Sequence, residues 1–95
     1  MHQKFEWNEK KALSNFQKHG VHFHEAQTVF NNPLACIFDD EFHSSDEPRE
    51  IIIGHSAKGR LLVVCFTERE PSMIRIITAR PATNRERQDY EENRF

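Results

Sequence analysis

Two runs of branched and aromatic residues, Leu61 to Thr67 and Met73 to Ala79, flank a charged segment from Glu68 to Ser72. Side chains that crowd the backbone favour extended strands, and a short polar connection turns one strand back on the next. The pattern predicts a β-hairpin with a five-residue loop. A third run, Glu50 to Ser56 with Ile51, Ile52 and Ile53 at its centre, predicts a strand covered on both faces or central in the sheet. Ala57, Lys58 and Gly59 turn it into the hairpin. Arg60, Arg69, Arg75 and Arg80 fall at the ends of the hairpin strands or within them. Stiff backbone there can hold guanidinium groups towards phosphate or carboxylate.

Upstream, Gln3 to Trp7 predicts a short strand and Asn8 a helix cap. The helix it opens begins at Glu9, reaches Lys18 and His19, and stops at Gly20. Ala12, Leu13 and Phe16 recur at spacings of three and four and predict its buried stripe, with Lys10, Lys11 and Gln17 facing away. A second helix is expected from about Phe23 to Asn31, burying Phe23, Ala26, Val29 and Phe30 and closed by Asn32 and Pro33. Leu34 to Phe38 predicts a strand, and Asp39 to Pro48 a polar connection with Phe42 as its core material. After Pro81, the run Thr83, Asn84, Arg85, Glu86 fits a capping box and opens a short polar helix anchored by Tyr90. The order predicts an α+β domain: a mainly antiparallel sheet, two N-terminal helices packed on one face, the other face exposed, and a short C-terminal helix.

The 95 residues suit one domain, 1–95, with a single core. No apolar run is long enough for a membrane-spanning helix, and the opening MHQKFEWNEK lacks the apolar stretch of a secretory signal. A cytoplasmic protein is expected. Cys36 and Cys65 sit inside apolar runs and are expected as reduced, buried thiols. The net charge of −2 conceals an asymmetry: residues 1–48 carry four Lys against eight acids, a net −4, whereas residues 49–87 carry eight bases against four acids, a net +4. A local basic face of this kind binds phosphate, and a solvated strand surface with ordinary ion pairs explains the same count. Lys18 and His19 are open to the same two readings, since a helix C-terminus attracts cations by its dipole alone. His19, His22 and His24 with Glu25 have neither a second cluster nor a Cys partner, so no metal is expected.

The segments FEWNEKKALSNFQKHGVHFHEA, IIIGHSAKGRLLVVCFTER and RIITARPATNRERQDYE, in that order, resemble the BrnT family of type II toxin–antitoxin ribonuclease toxins, a branch of the RelE-like fold. The resemblance implies a metal-independent endoribonuclease that inhibits translation by attack of a ribose 2′-hydroxyl on the neighbouring phosphorus, with no cofactor. It further implies a cognate BrnA-like ribbon-helix-helix antitoxin, through which alone the toxin meets operator DNA. On that footing Arg75 and Arg80 are expected to bind the phosphate and stabilise its transition state. Glu68 and Arg69, at the hairpin turn, are expected as base and clamp, and Tyr90 is expected to stack on a base or move a proton. Trp7, Lys18, His19 and Arg60 are expected to bind RNA. Packing is the competing reading for Trp7 and Tyr90, and a solvated hairpin loop for Glu68 and Arg69. Arg75 and Arg80 have opposite parity, so a regular strand aims them at opposite faces, and both serve only if the chain bends near Thr78 to Pro81. The alternative function is a non-catalytic nucleic-acid- or protein-binding module that co-represses with a DNA-binding partner.

Overall fold

A computed structural model describes residues 3–41, 47–70 and 72–94. It contains strands β1 (Lys4–Glu6), β2 (Cys36–Asp39), β3 (Glu50–His55), β4 (Leu61–Glu70) and β5 (Met73–Pro81), with helices α1 (Glu9–His19), α2 (Phe23–Gln27) and α3 (Asn84–Glu91). One sheet runs in the order β1-β5-β4-β3-β2. The pairs β2–β3, β3–β4 and β4–β5 are antiparallel and β1 joins β5 in parallel, so the sheet is mixed. Phe42 of the expected polar connection lies outside the described residues. No helix among those described is long and apolar enough to cross a membrane.

The hairpin is longer than its apolar runs. Pairing continues through Thr67–Arg75, Glu68–Ile74 and Glu70–Met73, and Ser72 reverses the chain with φ of 70°. Glu68 and Arg69 are therefore strand residues and not part of a five-residue loop. The polar composition of this stretch misled because its backbone is held by the ladder to β5, whatever its side chains prefer.

The core divides across the sheet. Ile52, Leu62, Val64, Phe66, Ile74, Ile76 and Ala79 pack against Val21, Phe23, Ala26 and Val29. On the opposite face Ile53, Leu61 and Val63 pack with Ile51, Cys36, Ala82 and Tyr90. The second face is thus not left bare: α3 reaches it through Tyr90. The capping box expected for α3 is complete, with Thr83 Oγ1 accepting from the Glu86 N–H at 3.1 Å and Glu86 Oε1 accepting from the Thr83 N–H at 2.9 Å.

Helix α1 starts and stops as its sequence dictates. Asn8 Oδ1 accepts from the Lys11 N–H at 3.0 Å, and Gly20 adopts φ of 70°. Its buried side differs from the predicted stripe: Leu13 and Phe16 are 61% and 40% exposed, while Asn15 is buried. Strand β1 covers β5 only from Met73 to Arg75, which leaves an open edge further along. Asn15 closes that edge, accepting from the Ala79 N–H at 3.0 Å and donating to the Ala79 carbonyl at 2.8 Å and the Val21 carbonyl at 3.0 Å. A buried sheet edge requires hydrogen bonds, so an amide replaces the apolar residue that periodicity anticipates. Helix α2 is short and tightens into a 3₁₀ turn, Thr28–Asn31. The expected strand at Leu34 begins only at Cys36, and Leu34 itself is exposed.

Candidate active site

The site is organised by one irregularity in β5. Thr78 pairs with Cys65 and Ile76 with Phe66, so Ile77 is an extra residue opposite the Cys65–Phe66 step. An inserted residue reverses the alternation of side chains beyond it. Arg75, opposite Thr67, and Arg80, opposite Val63, consequently lie on the same face of the sheet despite their opposite parity. Asp40, Arg49, Cys65, Thr78 and Arg80 line a cavity of about 330 Å³ on that face, with Ile51, Val63 and Ile77 as its apolar wall. Across the bulge, a hollow of about 230 Å³ is lined by Lys11, Ser14, Asn15, Lys18 and His19 of α1 together with Ile77 and Thr78. The two depressions share Ile77 and Thr78.

Carboxylates accompany the arginines. Arg80 forks onto Glu86 with Nη1–Oε1 and Nη2–Oε2 distances of 2.7 and 2.8 Å. Those bonds, aided by the Thr83 cap, push the Glu86 carboxyl down to about 2 against the opposing effect of burial. Arg75 Nη1 lies 3.1 Å from Glu6, and Arg69 lies 3.8 Å from both Glu6 and Glu47. By contrast Lys18 and His19 have no carboxylate partner among the described residues and are exposed. With Lys11, likewise exposed and without such a partner among the described residues, they are the groups of this hollow left to meet an outside anion.

Residues 7–86 match the family described as the ribonuclease toxin, BrnT, of type II toxin–antitoxin systems. The chain belongs to the BrnT family. Among solved structures it is similar to the ribonuclease toxin BrnT of Brucella abortus, with 23% identity and a TM-score of 0.67 over 86% of this chain and 99% of that one. No curated protein matches it in sequence. Membership in the BrnT family carries with it a ribonuclease-toxin character and a cognate antitoxin.

Against this BrnT fold the expected site residues separate into two groups. Arg75 and Arg80 share a face, and Lys18 and His19 adjoin it at the bulge. Arg69 reaches the same face and shares Glu6 with Arg75. Glu68 stands opposite Ile74 of the helix-covered core and lines a separate hollow with Gln3, Gln27 and Asn31. Arg60 clamps α2 to the start of β4: its Nε donates to Glu25 Oε2 at 2.9 Å and its Nη2 to the Gly20 carbonyl at 3.1 Å. Glu25 is buried, accepts further from Ser56 Oγ at 2.7 Å, and has its carboxyl held below the usual range chiefly by the Arg60 bond. Trp7 packs edge-on against Phe23 at 5.8 Å and His24 at 4.9 Å. Tyr90 donates to the Leu34 carbonyl at 2.9 Å, and burial pushes its phenol upwards.

A larger cavity, about 450 Å³, adjoins His22, His24, Glu25 and Lys58. Its carboxylate is already bonded to Arg60 and Ser56, and His22 stacks on Phe16 with ring centres 3.9 Å apart. These groups serve the fold. Sequence reasoning missed Lys11, Asp40 and Arg49 as lining residues. Lys11 had a signal, since it precedes Lys18 by seven residues, two helical turns. Asp40 had none, lying within a run of acids.

Proposed function

We propose that this chain is a metal-independent endoribonuclease, acting on RNA in the cytoplasm and silenced by a BrnA-like ribbon-helix-helix antitoxin. The observation that carries the reading is the bulge at Ile77, which aligns Arg75 and Arg80 with Thr78 beside Lys18 and His19, which have no carboxylate partner among the described residues. Cleavage by a ribose 2′-hydroxyl needs cations around a crowded phosphate and groups that move protons. Arg80 is suited to meet the phosphate, because Glu86 fixes the plane of its fork and donors remain beyond the two that Glu86 accepts. One well-aimed donor at a developing charge contributes about 2.7–4 kcal/mol. Lys11, Lys18 and His19 would hold phosphates further along the strand, and an acidic segment of the antitoxin would compete for the same cations. Operator DNA would be met through the antitoxin alone.

A second reading, a non-catalytic module that grips nucleic acid or co-represses with a DNA-binding partner, is favoured by the carboxylates that accompany Arg69, Arg75 and Arg80. One experiment separates the two. Antitoxin-free protein is incubated with labelled messenger RNA in EDTA, with and without ribosomes, beside Arg80→Ala. Cutting that persists in EDTA and is lost in the variant supports the nuclease. Absence of cutting by folded wild type in both settings overturns it and leaves the binding module.

A further inference from the structure

The cavity beside Arg80 contains one carboxylate among the described residues, Asp40. Asp40 is only 7% exposed and lines this cavity. Its backbone is fixed where β2 ends, its N–H donating to the Arg49 carbonyl at 2.9 Å. Its Oδ2 lies 3.6 Å from Cys65 Sγ. Burial first, then the Asp40 charge, pushes the Cys65 thiol up to about 11, so Cys65 stays an S–H donor and is not a nucleophile. Arg49 of the approach to β3 and Arg80 of β5 complete the charged lining. Glu86 and Glu6, which bond Arg80 and Arg75, do not line it. At about 330 Å³ the cavity falls in the range of small-ligand sites, large enough for a phosphoribosyl group.

We propose that Asp40 is the proton acceptor for the attacking ribose 2′-hydroxyl, with Arg49 and Arg80 holding the scissile phosphate. This rests on the nuclease reading above. Asp40 takes the 2′-hydroxyl proton as the 2′-oxygen forms its bond to phosphorus and the bond from phosphorus to the 5′-oxygen breaks. The departing 5′-oxygen takes a proton from water at the open rim, and Asp40 returns its proton to solvent. The products are a 2′,3′-cyclic phosphate and a 5′-hydroxyl, with no other reactant. A carboxylate that lines the same cavity as Arg49 and Arg80 suits a general base at this position, since the negative charge gathering on the phosphate meets cations.

The test is single-turnover cleavage of a labelled RNA as a function of pH by wild type and Asp40→Asn, with RNA binding and thermal melting recorded for each. Asp40→Asn keeps the size and the hydrogen-bond acceptor but loses the base. Expected are a roughly 10²–10⁴-fold slower cleavage, RNA binding equal to or tighter than wild type, and loss of the acid limb of the pH–rate profile. Asp40→Asn that cuts within about threefold of wild type, with the acid limb intact, overturns the role of Asp40 while the nuclease reading stands. A wild type that does not cut overturns both. If Asp40→Asn does not fold, the wild-type profile decides: a cleavage rate that does not fall in acid overturns the proposal.

Discussion

Asn15 satisfies both backbone groups of Ala79 and the Val21 carbonyl in buried surroundings, so its replacement leaves several polar groups without partners. Each such group costs about 1–3 kcal/mol, and Asn15→Leu, which adds little volume, is expected to destabilise by about 3 kcal/mol in urea unfolding. A loss below about 1 kcal/mol would mean that water enters and replaces the amide. The Arg80–Glu86 pair makes a prediction about acid. Glu86 ionises at about 2 in the folded protein against an ordinary 4.5, so its ionised form favours folding. That stability is complete above pH 4.5 and is lost as the pH falls towards 2. Both side chains are partly exposed, which limits the contribution to the order of 1–2 kcal/mol. Melting of Arg80→Ala should therefore depend less on pH within this window than melting of wild type. Glu25, held down by Arg60, leaves part of the acid sensitivity in place.

Elements whose ends are fixed by local chemistry were legible in the sequence. Asn8 and Gly20 delimit α1, and Thr83 with Glu86 opens α3, because a helix terminus needs a side-chain acceptor or a left-handed residue wherever it occurs. What depended on distant partners was not legible. The bulge at Ile77 has no glycine or proline to announce it; it exists because Ile76 and Ala79 both belong to the helix-covered core, which an uninterrupted alternation cannot satisfy. The stripe of α1 was misread for the same reason, since its partner is a strand edge and not an apolar surface. The approach of the segment 32–35 to β3 is another tertiary requirement. A Cβ on Gly54 would stand 2.7 Å from Ala35 Cβ and 3.1 Å from Asn32 Oδ1. Gly54→Ala is expected to cost about 1–3 kcal/mol by overpacking, read as a fall of several degrees in Tm. Unchanged melting would show that the segment retreats without resistance.

Charge along the chain is a poor map of charge in space. The basic half supplies Arg60, Arg69, Arg75 and Arg80, and folding brings each to a carboxylate, Glu25, Glu6 and Glu47, Glu6, and Glu86 respectively. The acidic half supplies Lys11, Lys18 and His19 at the bulge and Asp40 in the neighbouring cavity. The geometry of the candidate site was therefore half legible: RIITAR pointed to the strand that carries the bulge, but its companions in the two hollows come from segments whose composition argued against them. The consequence is measurable through salt. Single-stranded RNA binding weakens with a slope of log affinity on log salt of about −0.7 per phosphate neutralised. If about three cations around the bulge are engaged, affinity should fall roughly 20-fold between 50 and 200 mM salt. Lys18→Ala should then make the slope shallower by about 0.7. Arg60→Ala should leave it unchanged, because Glu25 and Gly20 already occupy that guanidinium. Equal flattening by both variants would show that an internal ion pair does not withdraw an arginine from RNA binding. The count of exposed bases in the hairpin half would then be the better guide to where RNA lies.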